Sequence, residues 1–242
     1  MATTLIVPGL HSSGPDHWQT WFEEQLPSAV RVIQRDWHDA YLPDWAARVR
    51  RDIARHPGRL FIVAHSFGVL AAVQAAVDHR ERIAGALLVA PADPDAFAVS
   101  EYLPASGLGF PAVVVASTND PWMRLERAAH WADLWGADLI NLGASGHINA
   151  DAGFGPWPEG LEIFERLRTH AKAGASTAIA ADHSAPAHQR RALLRHTTNR
   201  GAGQAVHRGI SYSNDQSRDL IRAANLLEQA GWTVRQPNER RI

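Results

Sequence analysis

Residues 60–77 read Leu-Phe-Ile-Val-Ala-His-Ser-Phe-Gly-Val-Leu-Ala-Ala-Val-Gln-Ala-Ala-Val, an apolar run that turns at His65-Ser66-Phe67-Gly68 into a helix-forming stretch. Unbroken apolarity suits a strand buried on both faces, and the segment therefore predicts strand, sharp turn, helix. A serine at the apex of such a turn must take strained backbone angles. The residues two before and two after it must then be small, so that strand and helix can approach. Ala64 and Gly68 meet that requirement. The usual pattern has glycine at the first position, and Ala64 adds one methyl group.

Working outward, further apolar runs occupy 4–7, 29–33, 84–90, 112–116 and 138–142, each near turn residues. Helical spacing separates them: Trp45, Val49 and Ile53 recur every four residues, Leu161, Phe164 and Leu167 every three, and 123–135 carries Leu125, Ala128, Ala129 and Leu134 among charges. Alternating strands and helices predict a three-layer α/β domain around a mostly parallel sheet of about six strands, because each parallel connection needs a crossover that covers a sheet face.

A serine hydroxyl is too weakly ionised at neutral pH to attack unaided. Ser66 therefore needs a base, and the base needs a carboxylate to fix its tautomer. Asp120 follows the run 112–116 in Ser117-Thr-Asn-Asp-Pro121, and His147 follows 138–142 in Gly143-Ala-Ser-Gly-His147. Both stand just past a predicted strand end, in the order Ser, Asp, His. Asp93 and Asp95 also fit that order, whereas Asp36 and Asp39 do not. The turn aims the first amides of the following helix at the reaction centre, which makes Phe67 N–H one oxyanion donor. Leu10 N–H, in the glycine-containing loop Pro8-Gly-Leu-His-Ser-Ser-Gly14, is the second.

The chain resembles the small α/β-hydrolases grouped with retinoblastoma-binding protein 9 and the bacterial YdeN-type proteins. The resemblance rests on Pro8-Gly-Leu-His-Ser-Ser13 with His17-Trp18, Ala64-His-Ser-Phe-Gly68, Ser117-Thr-Asn-Asp-Pro121, and Gly146-His147 trailed by Gly153-Phe-Gly-Pro-Trp-Pro158, over roughly residues 3–170. It implies an α/β-hydrolase fold without a large lid and a carboxylesterase-like serine hydrolase (EC 3.1.1). The substrates would be esters, with thioesters and amides as variants, and no cofactor is needed. Ser66, His147 and Asp120 would carry the chemistry, with Leu10 and Phe67 in the oxyanion hole. The alternative from another class is a non-catalytic module that keeps the fold and binds a protein.

Other residues have plainer readings. His65 is expected to be a packed, hydrogen-bonded turn residue, and His17 with Trp18 to anchor a helix start. His11 borders the oxyanion loop and is a candidate substrate contact. Trp122, just after Asp120-Pro121, and Trp157, after His147, are candidate pocket walls, with plain packing as the alternative for each. No His-Glu-x-x-His or similar cluster appears among the 13 histidines, so no metal is assigned.

Composition divides the chain. Residues 1–170 carry 13 arginines against 20 carboxylates, a net charge of −7, and residues 171–242 carry 11 basic groups against five, a net charge of +6. A hydrolase domain at 1–171 and a basic, weakly structured extension at 172–242 follow, with one helix near 215–230. The extension offers a place for a protein partner. Arg190, Arg191, Arg195 and Arg200 lack the interleaved aromatics of a nucleic-acid binder, so phosphate binding is not expected. Cysteine is absent, which excludes disulfides and a thiol nucleophile. No signal peptide and no run of about 20 apolar residues is present, so a cytoplasmic protein with a small acyl substrate is the expectation.

Overall fold

A computed structural model describes residues 2–184, of which 174–184 are described as helix backbone alone. Six strands form one sheet in the order β2-β1-β3-β4-β5-β6, and every neighbouring pair is parallel. They are β1 (Thr4–Val7), β2 (Ala29–Arg31), β3 (Leu60–His65), β4 (Ile83–Val89), β5 (Ala112–Ala116) and β6 (Asp138–Asn141). The α-helices are α1 (Trp18–Gln25), α2 (Leu42–Arg55), α3 (Phe67–Val77), α4 (Leu125–Trp135) and α5 (Pro158–Ser184).

The four central strands are buried along their whole length, as unbroken Val, Ile, Leu and Ala runs require when helices cover both faces. One face packs on α2, α3 and α4 through Trp45, Val49, Phe67, Leu70, Val114 and Trp135. The other packs on α1 and α5 through Trp18, Phe22, Val63, Leu87, Val115 and Phe164. This is the three-layer arrangement expected. The two edges differ from the buried-strand reading: β2 is half-buried, and β6, Asp-Leu-Ile-Asn, is largely exposed. An edge strand has a partner on one side only, so polar Asp138 and Asn141 cost it little.

Helix α5 runs on past residues 171 and 172 to Ser184. The expected helix near 215–230 lies outside the described residues. Among the described residues, no helix is long and apolar enough to cross a membrane.

The strand order matters for function. From β1 the chain moves outward to β2, then returns past β1 to β3 and continues the other way. The loops leaving β1 and β3 therefore diverge at their carboxyl ends, and a crevice opens at such a switch point.

Candidate active site

Ser66 sits at that crevice, between β3 and α3, with φ 55° and ψ −128°. Such angles are rare for a residue with a side chain and persist only where the surroundings over-determine them. Two glycines explain how they are held. A Cβ on Gly68 would stand 2.3 Å from the Pro8 carbonyl oxygen and 2.6 Å from that of Val7, and one on Gly9 would stand 2.7 Å from Ser66 Cβ. The loop after β1 thus lies directly against the serine turn, and only hydrogen fits at both positions. Ala64, fully buried, keeps its methyl group.

Three side chains from three strand ends meet here. Ser66 Oγ lies 2.9 Å from His147 Nε2, and His147 Nδ1 lies 3.0 Å from both carboxylate oxygens of Asp120. With Nδ1–H donating to Asp120, Nε2 keeps a lone pair and accepts from the serine hydroxyl. The Asp120 side chain is 2% exposed, and its Oδ1 also accepts from Trp122 N–H at 2.9 Å. The competing acids are engaged elsewhere: Asp93 and Asp95 pair with Arg127, and Asp36 accepts from its own turn at His38 N–H. Asp36 and Asp39 line a separate cavity with Gln34 and Arg48.

Among the described hydrogen bonds, the Leu10 and Phe67 N–H groups have no acceptor within the protein. Phe67 begins α3, where the first amides lack helical partners. Its side chain packs in the core against Trp45 and Phe97. Leu10 and Ser66 share a cleft of about 340 Å³ with His11, His17, Trp122 and His147, rimmed by Asp16, Asn149 and Asp151. His11 is exposed at its edge against His38, and Trp122 stands with its ring centroid 6.2 Å from that of His147.

Trp157 is a correction. It does not line the cleft; it is buried among Trp18, Phe22 and Phe154, with ring centroids 5.3, 6.3 and 5.5 Å away. Its loop turns inward because α5 begins at the next residue, which carries the indole beneath α1.

The turn bearing His147 is gripped from below. His65 Nε2–H donates to the His147 carbonyl at 3.0 Å, and Trp18 Nε1–H donates to the Ile148 carbonyl at 2.8 Å. Ile148 is β-branched and adopts φ 48°, so this grip holds a strained backbone. Above it, Asn119 Oδ1 accepts from Gly146 N–H at 2.7 Å and Ser117 Oγ accepts from Ser145 N–H at 2.9 Å. These contacts tie the Asp120 loop to the His147 loop. His17 caps α1 as expected, its Nδ1 accepting from Gln19 N–H.

Burial pushes the His17 imidazole down to about 4, with Arg31 and His147 adding to the effect. His65 is lowered well below the ordinary histidine value, again by burial first and then by His147 and His17. Both rings are thus neutral where His147 would work. Burial raises the Asp93 carboxyl. Among the described residues, no group of three or more His, Asp or Glu side chains is arranged to hold a metal ion.

Nothing in the sequence marks Gln19, Ser117, Asn119 or the Trp18–Ile148 bond as part of the site. Asn119 and Ser117 stood inside the Ser117-Thr-Asn-Asp-Pro motif, but their partners lie 27 and 28 residues away. Nothing local marks Gln19 beyond its position two residues after a helix cap.

No curated protein matches the chain. Among solved structures, a YdeN-like hydrolase from Pectobacterium atrosepticum is 40% identical, over 71% of this chain and 92% of its own, with a TM-score of 0.68. The ydeN gene product of B. subtilis is 20% identical over 70% of this chain and 100% of its own, TM-score 0.60. Est1E from Butyrivibrio proteoclasticus, in its structure with ferulic acid, is 11% identical over 73% and 90%, TM-score 0.55. The last two speak to the fold alone. A family model for serine hydrolases matches residues 4–166, the whole span from β1 into α5 that builds the sheet and the cleft. Sequence, topology and relatives agree that this chain belongs to the serine hydrolase family, beside the YdeN-like hydrolases.

Proposed function

We propose that the protein hydrolyses short carboxylic esters through an acyl-enzyme on Ser66. The observation that carries this reading is the continuous hydrogen-bonded path from Ser66 Oγ through His147 to the buried Asp120 carboxylate. His147 Nε2 takes the hydroxyl proton as Ser66 Oγ bonds to the ester carbonyl carbon, and the carbonyl oxygen becomes an oxyanion. Leu10 and Phe67 N–H groups, which have no acceptor among the described hydrogen bonds, receive that charge; removing one such donor typically lowers kcat by about 100- to 1,000-fold. His147 then gives its proton to the leaving alkoxide as the carbon–oxygen bond breaks. Water repeats the sequence on the acyl-enzyme, losing its proton to His147 and releasing the acid and Ser66.

The cleft supports a small substrate. Its volume of about 340 Å³ lies at the lower end of ligand sites, with Leu10, Pro15 and Trp122 offering apolar wall beside the polar groups of His11, Asn149 and Asp151. That volume leaves little room for a long acyl chain. Thioesters and amides react by the same steps, and another nucleophile in place of water would give acyl transfer.

A fluorophosphonate probe tests the reading. Wild type becomes labelled, and Ser66→Ala and heat-denatured protein do not. A folded wild type that takes no label, or labels equally after Ser66→Ala, would favour the non-catalytic binding module instead.

A further inference from the structure

Gln19 is fully buried in α1, and both N–H groups and the oxygen of its carboxamide bond to residues outside its own helix. Nε2 donates to the Val7 carbonyl at 3.3 Å and to the Val63 carbonyl at 3.2 Å, while Oε1 accepts from Ser13 Oγ at 2.6 Å. The orientation is unambiguous, because carbonyl oxygens only accept and must face the NH₂ end. Val7 is the last residue of β1, and Val63 lies on β3, paired with Ile6 one residue before it. The two carbonyls flank the point where β1 and β3 part, and Gln19 bridges them.

What leaves that point is the oxyanion pocket. The Val7 and Pro8 carbonyls press on Gly68, Gly9 presses on Ser66, and Leu10 follows. Three residues beyond Val63 on the other strand comes Ser66, and then Phe67. Ser13, the third partner, closes the far end of the same loop. One side chain thus ties together the exit of β1, the loop bearing Leu10 N–H, and the strand that delivers Phe67 N–H. Its own backbone N–H is held by the His17 cap, which fixes the helix from which it reaches.

We propose that Gln19 is a positioning residue that sets the spacing of the two oxyanion donors, acting through Val7, Val63 and Ser13 without touching substrate. The proposal rests on the acyl-enzyme reading. Gln19→Met keeps the volume and removes all three bonds. Ser13→Ala removes only the bond to the carboxamide oxygen, and it serves if the methionine variant does not fold.

The expected result is a kcat lowered by about 10- to 100-fold in Gln19→Met, and by less in Ser13→Ala, with KM within about threefold of wild type. The affinity of a short alkylboronic acid, whose tetrahedral adduct needs the oxyanion donors, falls by the same factor as kcat. A merely structural role would lower the unfolding midpoint and leave boronate affinity intact, which overturns the proposal. So does a folded variant with wild-type kcat, or a loss confined to KM. Fluorophosphonate labelling separates the two claims: wild type that never labels defeats the acyl-enzyme reading and this proposal with it, whereas labelled wild type with unaffected variants defeats only this one.

Discussion

Replacing Gly68 by alanine should damage the oxyanion pocket more than the fold. The new Cβ would lie 2.3 Å from the Pro8 oxygen and 2.6 Å from the Val7 oxygen, both backbone atoms that no rotamer change can move. An ordinary contact begins near 3.4 Å, so the strand end and the serine turn must separate by about 1.1 Å. Overpacking of this kind costs about 1–3 kcal/mol, which a domain of this size survives. Leu10 follows Pro8 by two residues, and its N–H would be carried off by much of that distance. A misplacement of about 1 Å costs on the order of 100-fold in rate. Turnover of a short 4-nitrophenyl ester, beside urea unfolding, measures both effects. Gly107→Ala is the control, since its nearest contact would be the Trp135 oxygen at 3.9 Å. A folded Gly68→Ala protein with kcat within about threefold of wild type would show that the loop after β1 does not set the position of the Leu10 donor.

The neutral state of His17 gives the fold an acid sensitivity. An unfolded chain takes up this proton below the ordinary value of 6.5, while the native protein resists it until about 4. Stability is therefore complete above 6.5 and falls as pH drops from 6.5 to 4, by up to about 3 kcal/mol for this group; urea midpoints across that window should show a shallower slope in His17→Asn, and an unchanged slope contradicts the assignment. Asn119→Ala removes the acceptor for Gly146 N–H from an exposed side chain, so kcat should fall by about tenfold with a stability loss near 1 kcal/mol, read from the same two assays. Trp157→Ala should destabilise the fold by about 3–5 kcal/mol with KM unaltered in whatever fraction remains folded. Trp122→Ala should raise KM several-fold and, because the half-buried ring also packs on the core, cost less stability than Trp157→Ala; an unchanged KM would take the ring out of the substrate cleft.

Legibility in the sequence followed the range of the interactions. β1 and β5 match their apolar runs to the residue, and the Ser66 turn announces itself because strand, bend and helix are consecutive. Asp120 and His147 were readable from their places after successive strands, although they meet Ser66 only through 54 and 81 residues of intervening chain. The supporting contacts left no such mark. Gln19 reaches Val63 across 44 residues and Trp18 reaches Ile148 across 130, and neither side chain type advertises its partner. The place of Trp157 is hidden for the same reason. A tryptophan near His147 in sequence can face the cleft or the core, and the choice belongs to Trp18 and Phe22, which lie far away along the chain. The weakness of β6 as an apolar segment likewise reflects its place at the sheet edge, which depends on strand order rather than on its four residues.

The central claim is that Ser66 becomes acylated with His147 as base. Brief reaction with a short 4-nitrophenyl ester, acid quenching and peptide mass spectrometry test it most directly. One acyl group should accumulate on the peptide containing Ser66 in wild type and be absent after His147→Ala. A protein that turns over the ester with no adduct at Ser66, or with the adduct on another residue, would contradict it.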